Sequence, residues 1–178
     1  MNSPADHDLV RQFQGGDEQA FAALVRRHQD RVYRLARVRL YAAEDAGDAA
    51  QEVFLRAYKG LRRFRFRAEP FTWLYRTLIN VCNEYNRRHR RHRRLEEGLA
   101  REPDTEPATN KEESLDDMRA VQRLIRELPR RQQDVVLLRM FEELSVEETA
   151  RAMGCRPGTV KAHLHKALQN LRQQLTQT

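Results

Sequence analysis

The chain has 178 residues, of which 40% are hydrophobic and 33% charged, with a formal net charge of +7. No apolar run approaches the ~18 residues of a transmembrane helix, and the polar, acidic stretch from Met1 to Asp8 does not read as a signal peptide. Two distant cysteines, Cys82 and Cys155, exclude a disulfide scaffold and fit a reducing, cytoplasmic setting, while the basic balance points to an anionic partner, nucleic acid first.

Every periodic stretch has helical spacing, so the expected fold is all-α. Asp8 to Gln14 forms a short helix closed by Gly15-Gly16. Asp17 caps a long helix whose inner side carries Phe21, Leu24, Val25, His28, Val32, Leu35 and Ala36. A third helix spans about Asp45 to Leu61, turning Ala49, Val53, Phe54, Ala57 and Leu61 inward. A fourth starts at Pro70, a residue suited to a first turn, with Phe71, Leu74, Tyr75, Leu78, Cys82 and Tyr85 inside. It runs into the basic tract from Arg87 to Arg94.

Beyond the tract, Val121, Leu124, Ile125 and Leu128 mark a helix stopped by Pro129, and Val135, Val136, Leu138 and Phe141 mark another. Ser145 and Glu148 form a capping box for a short helix with Val146, Ala150 and Met153 inside. Gly154 ends it, Cys155-Arg156-Pro157-Gly158 turns the chain, and a last helix places Val160, Leu164, Leu168, Leu171 and Leu175 inward.

The charge is segregated along this order. Residues 1–60 hold nine Lys/Arg and nine Asp/Glu, residues 61–94 hold 11 and two, residues 95–117 hold two and nine, and residues 118–178 hold 11 and six. The acidic segment contains Gly98, Pro103 and Pro107 and almost nothing apolar, so it cannot offset its ordering entropy. The expected organisation is therefore two small helical domains, 1–94 and 118–178, joined by a flexible acidic linker, 95–117. Fully extended, such a linker reaches about 76 Å, enough for two DNA contacts about two helical turns apart.

Two stretches carry candidate chemistry. Ser145 to Leu171 has the lengths of a helix-turn-helix, whose second helix would enter a major groove. Thr159, Ala162, Lys166 and Gln169 then face outward, flanked by His163 and His165, with Arg156 and Lys161 near the helix start. An ordinary helical hairpin with a solvated face is the plainer alternative. Residues 61–76 interleave Arg63, Phe64, Arg65, Phe66, Trp73 and Arg76, and Trp73 lies opposite the inner stripe on a face shared with Arg76, Asn80, Glu84 and Arg87. Rings among guanidinium groups suit single-stranded nucleic acid; the same rings could instead plug the core.

Three blocks, in order, resemble one family. Asp48-Ala49-Ala50-Gln51-Glu52-Val53-Phe54-Leu55-Arg56-Ala57-Tyr58 resembles the polymerase-binding helix of bacterial sigma factors. Phe71-Thr72-Trp73-Leu74-Tyr75-Arg76, with Asn80 and Arg87-Arg88, resembles their −10 and strand-opening region. Leu144 to Ala150, Met153-Gly154-Cys155 and Gly158-Thr159-Val160-Lys161 resemble their −35-binding helix-turn-helix. The two-domain plan is similar to that of the extracytoplasmic function (ECF) group of the sigma-70 family.

The resemblance implies that Asp48, Gln51 and Glu52 face core RNA polymerase. It implies that the loop from Arg63 to Pro70, with Phe64, Arg65 and Phe66, captures a base of the melted −10 element beside Trp73 and Asn80. Arg76, Arg87 and Arg88 would hold its backbone. Arg156, Thr159, Lys161, His163 and Lys166 would meet promoter DNA at the −35 element, and an anti-sigma factor would regulate the whole. The pattern departs from the family at Gly47, often acidic there, at Ala162-His163, often Ser-Arg, at Lys166, often Arg, and at Glu84, usually Asp. The −35 preference therefore does not transfer from relatives.

An enzyme is disfavoured: there is no phosphate-binding G-x-x-x-x-G-K-[ST] loop and no H-E-x-x-H, and Ser145 is better explained as a cap. No cofactor is called for. Cys82, His89 and His92 fit no usual zinc spacing. A helix-turn-helix regulator acting without polymerase would explain 118–178 but not the other two blocks. An RNA-binding adaptor would explain only the aromatic-basic stretch.

Overall fold

The structure, a computed structural model, describes residues 5–99, 120–121 and 123–175. Helices α1 (Asp6–Gln14), α2 (Glu18–Arg39), α3 (Ala46–Leu61) and α4 (Pro70–Leu99) build the N-terminal half. A 3-10 turn, Ala43–Asp45, precedes α3. The C-terminal half comprises α5, helical at 120, 121 and 123–127, then α6 (Arg130–Val136), α7 (Val146–Met153) and α8 (Pro157–Leu175). Helix α6 widens into a π-turn over Leu137–Phe141. No strand occurs among the described residues, so the all-α expectation holds.

The local signals act as the sequence predicts. The Asp17 carboxylate accepts from the amides of Gln19 and Ala20 at 2.9 and 3.4 Å, capping α2. Leu24, Val32, Leu35 and Ala36 of α2 meet Ala49, Val53, Ala57 and Leu61 of α3 and Leu74, Leu78 and Val81 of α4 in one buried core. The small residues of α3 permit this close helix approach. Cys82 lies in the same core, and burial pushes its thiol up to about 12, so it stays protonated.

Several expectations need correction. Helix α4 continues to Leu99, so residues 95–99 belong to it rather than to the linker; the rest of the acidic segment, 100–117, lies outside the described residues. Leu168 (37%) and Leu175 (64%) are exposed rather than inside, and Val121 (42%) and Phe141 (40%), which mark their helices, are exposed as well. The π-turn rotates Phe141 away from the face that buries Leu137 and Leu138. Along α8 the contact with α6 and α7 uses Val160 and Ala167 fully, and Leu164 and Leu171 in part.

The two halves pack against each other, and arginines make the junction. Arg39 of α2 meets Asp134 of α6 at 2.6 Å, their side chains 2% and 11% exposed. The Tyr75 hydroxyl approaches the same carboxylate at 3.4 Å. Arg31 of α2 pairs with Glu142 and lies 3.3 Å over the Phe71 ring. Arg126 of α5 donates to the carbonyls of Arg37, Val38 and Tyr41 at 3.1, 3.4 and 3.2 Å, satisfying the open end of α2.

Candidate nucleic-acid interface

Helices α7 and α8 form the expected helix-turn-helix. Ser145 Oγ accepts from the Glu148 amide at 3.2 Å, and Glu148 accepts from the Ser145 amide at 2.8 Å, which closes the capping box. That contact holds the Glu148 carboxyl below its ordinary range. Gly154 takes the left-handed conformation, φ 63°, and ends α7. Pro157 opens α8. Arg156, Thr159, His163 and Lys166 fall at helical spacings that share one face, with His163 half-buried and the others exposed. Lys161 is exposed on another side of the helix.

The aromatic stretch is more closely packed than a free stacking platform. Phe66 adopts a positive φ of 53°, which folds the loop back on itself. Its ring meets Phe64 edge-on at 5.2 Å, and Phe64 meets Trp73 at 6.4 Å. Gln14 Nε2 donates to the carbonyls of Leu61 and Phe64 at 2.8 and 2.9 Å and pins the loop to α1. Trp73 rests on Gly60 of α3: a Cβ added there would fall 2.5 Å from Trp73 Cζ2. The three rings are half-buried, while Arg63 and Arg65 are exposed. Gly60 as the seat of Trp73 was missed by sequence reasoning, because nothing in a helical periodicity marks a glycine as a ring contact.

Along α4, Asn80, Arg87 and Arg88 are exposed. Arg76 is committed elsewhere: its Nη2 and Nε donate to the carbonyls of Arg151 and Ala152 on α7, at 2.7 and 3.1 Å. Glu84 does not face outward as a lone carboxylate. Arg56 of α3 grips it with two bonds, 2.9 and 2.7 Å, and donates a third to Glu52 at 2.7 Å. The Arg56 hydrogen bonds hold the Glu84 carboxyl below its usual range.

A second, different surface lies on α3. Asp48 and Gln51 are exposed and Glu52 is half-buried, its carboxylate shared with Arg56. Leu55, 54% exposed, sits among them one turn on. An exposed apolar side chain with Gln51 and Glu52 on its N-terminal side and Lys59 on its other side suits a protein partner of mixed charge. Leu55 was not singled out from the sequence, although the inward positions Ala49, Val53 and Ala57 already forced it outward.

Residues 24–92 match Sigma-70 region 2 and residues 118–171 match Sigma-70, region 4. The chain is 33% identical over 163 residues to the ECF RNA polymerase sigma factor SigM of Mycobacterium tuberculosis, covering 92% of this chain and 81% of that protein. It is 34% identical over 173 residues to the ECF RNA polymerase sigma-E factor of Escherichia coli, covering 91% and 90%. In fold it is similar to CnrH, solved in complex with the cytosolic domain of CnrY, with a TM-score of 0.76, 21% identity and coverage of 97% and 98%. The sigma factor RpoE of Bartonella quintana, solved with the anti-sigma factor NepR, gives 0.68 at 21% identity over 88% and 96%. These matches define a sigma-70-type transcription initiation factor. The chain belongs to the ECF RNA polymerase sigma factors.

Proposed function

We propose that this chain binds core RNA polymerase, directs it to promoters through −35 and −10 elements, and helps open the −10 duplex. The observation that carries the reading is the occurrence of Sigma-70 regions 2 and 4, in order, in one chain. No helix among the described residues is long and apolar enough to cross a membrane, and the protein works where polymerase is, in the cytoplasm, as an initiation factor rather than as an enzyme.

The residue roles follow from chemistry and exposure. Asp48, Gln51 and Glu52 meet a basic polymerase surface, with Leu55 filling its apolar centre. Arg156, Thr159, His163 and Lys166 contact the −35 duplex from one face of α8, and Lys161 contributes charge from the flank. Arg63 and Arg65 draw the melted strand toward the rings of Phe64, Phe66 and Trp73. Asn80 reads polar edges nearby, and Arg76, Arg87 and Arg88 take phosphates. An anti-sigma factor, of the kind seen with the Bartonella quintana protein, belongs to the reading as its regulator.

The test is binding of the purified chain to core polymerase, with Glu52→Arg beside it. Nanomolar-range association of the parent, abolished by Glu52→Arg with both halves still folded, is expected. Tight duplex binding by the chain alone, with no association to core, would contradict the reading in favour of a free-standing helix-turn-helix regulator.

A further inference from the structure

Helix α1 precedes the stretch that matches Sigma-70 region 2, residues 24–92, and its side chains divide into two stripes. Leu9, Val10 and Phe13 are buried and dock it on its neighbours, the Phe13 ring meeting Phe21 at 4.9 Å and Tyr58 at 5.3 Å. The Asp6 carboxylate anchors the first turn, accepting from Arg27 of α2 at 2.6 Å and lying 2.7 Å from His28 Nε2. His7, Arg11 and Gln14 recur at the i, i+4, i+7 spacing of a second face, about 110° round the helix from the buried one. None of the three is buried, and all three contact the segment between α3 and α4.

These contacts hold the segment at its start, middle and end. Gln14 Nε2 donates to the carbonyls of Leu61 and Phe64 at 2.8 and 2.9 Å, bracketing the turn in which the Phe64 amide donates to the Leu61 carbonyl at 3.1 Å. The Arg11 guanidinium lies 5.2 Å from the centre of the Phe66 ring, and the His7 ring lies 5.6 Å from it. His7 Nε2 is also 3.0 Å from the Glu69 carboxylate, just before Pro70 opens α4. Phe66 holds a φ of 53°, a backbone state that a bulky residue keeps only where its surroundings over-determine it. Of the rings and cations set against it among the described residues, Phe64 belongs to the loop and the others to α1. We propose that His7, Arg11 and Gln14 are positioning residues for the single-strand-binding loop: α1 fixes where Phe64 and Phe66 stand, and thereby which base of the −10 element the loop accepts. Gln14 has the largest part, because one amide fixes the two carbonyls between which the loop begins. This rests on the proposed function for what the loop binds, and on the contacts alone for how the loop is held.

Gln14→Glu and Gln14→Lys, made in the full chain, separate hydrogen-bond donation from bulk. Gln14 is exposed, so neither change disturbs the core. Glu has the same shape but no donor, and sets a carboxylate against two carbonyl oxygens; Lys keeps a donor at similar reach. Trp73 is the chain's only tryptophan and meets Phe64, so its emission reports the loop without any DNA. Core polymerase with each variant, run on fragmented genomic DNA, gives the base distribution at each −10 position from the mapped 5′ ends. The Glu variant is expected to shift the Trp73 emission and to cut the base preference at one −10 position at least about threefold, against the roughly 5- to 150-fold that one read base supplies. Core affinity and the −35 block stay as in the parent, and the Lys variant keeps the parent's emission and preference. An unchanged base preference in the Glu variant would overturn the proposal, whether or not its unfolding midpoint falls. So would a Lys variant as altered as the Glu one, which would assign Gln14 a packing role. Failure of the parent to initiate with core polymerase would instead overturn the functional reading, and the Trp73 emission of the variants would still decide whether α1 holds the loop.

Discussion

In the proposed reading Trp73 serves both fold and function. Its ring rests on Gly60 and meets Phe64, and the residue is half-buried. Gly60→Ala forces the ring outward by overpacking, at a cost of about 1–3 kcal/mol. We expect thermal unfolding to show that loss, and open-complex formation to fall with it while −35 duplex binding is unchanged. An unaltered midpoint would mean that Trp73 does not rest on this glycine. Lys166 sits at the other extreme, exposed on α8. Lys166→Ala should weaken −35 binding and, if its contact is a phosphate, lower the salt slope by about one unit. A binding curve unchanged in both respects would remove Lys166 from the interface.

Helix identity and capping were legible in the sequence because they are local. Asp17, Pro70, Ser145, Glu148 and Gly154 each act within a turn of themselves, and each does in the structure what its position predicts. Ser145→Ala should cost about 1 kcal/mol through the lost cap, measured as a lower denaturant midpoint with the m-value unchanged. The carboxylates tied to such contacts set the acid limit of stability. Burial pushes the Asp6 carboxyl up, but hydrogen bonds from His28 and Arg27 outweigh it and the net shift is downward. Glu84 and Glu148 are lowered by Arg56 and by Ser145. Groups lowered on folding contribute stability that is present above their unfolded values, ~3.9 for Asp and ~4.3 for Glu. It is lost as pH falls through the lower folded values. The denaturation midpoint should therefore drop below about pH 4, and Glu84→Gln should flatten that drop; a drop of equal steepness in the variant would contradict the assignment.

At the scale of the molecule, the sequence showed the two surfaces but not how they sit together. Arg39 and Asp134 are 95 positions apart, and no periodicity links an arginine near the end of one helix to an aspartate in another. Arg76 likewise reads as a DNA contact from its helical face, since the backbone carbonyls it meets on α7 leave no mark in side-chain identity. Exposed apolar residues remain at Val121, Phe141, Leu168 and Leu175: the π-turn rotates Phe141 outward, and on α8 the contact runs through Ala167 rather than Leu168. What the segregated charge did show was two basic regions with an acidic segment, 95–117, between them; the α3 face of Asp48, Gln51 and Glu52 came from the family resemblance. The central claim is that these act together on a promoter. Core polymerase with this chain should be run on fragmented genomic DNA and the 5′ ends of the transcripts mapped. The account predicts discrete start sites sharing two sequence blocks about two helical turns apart, with initiation lost for Glu52→Arg. Random starts, or discrete starts that do not depend on the chain, would contradict it.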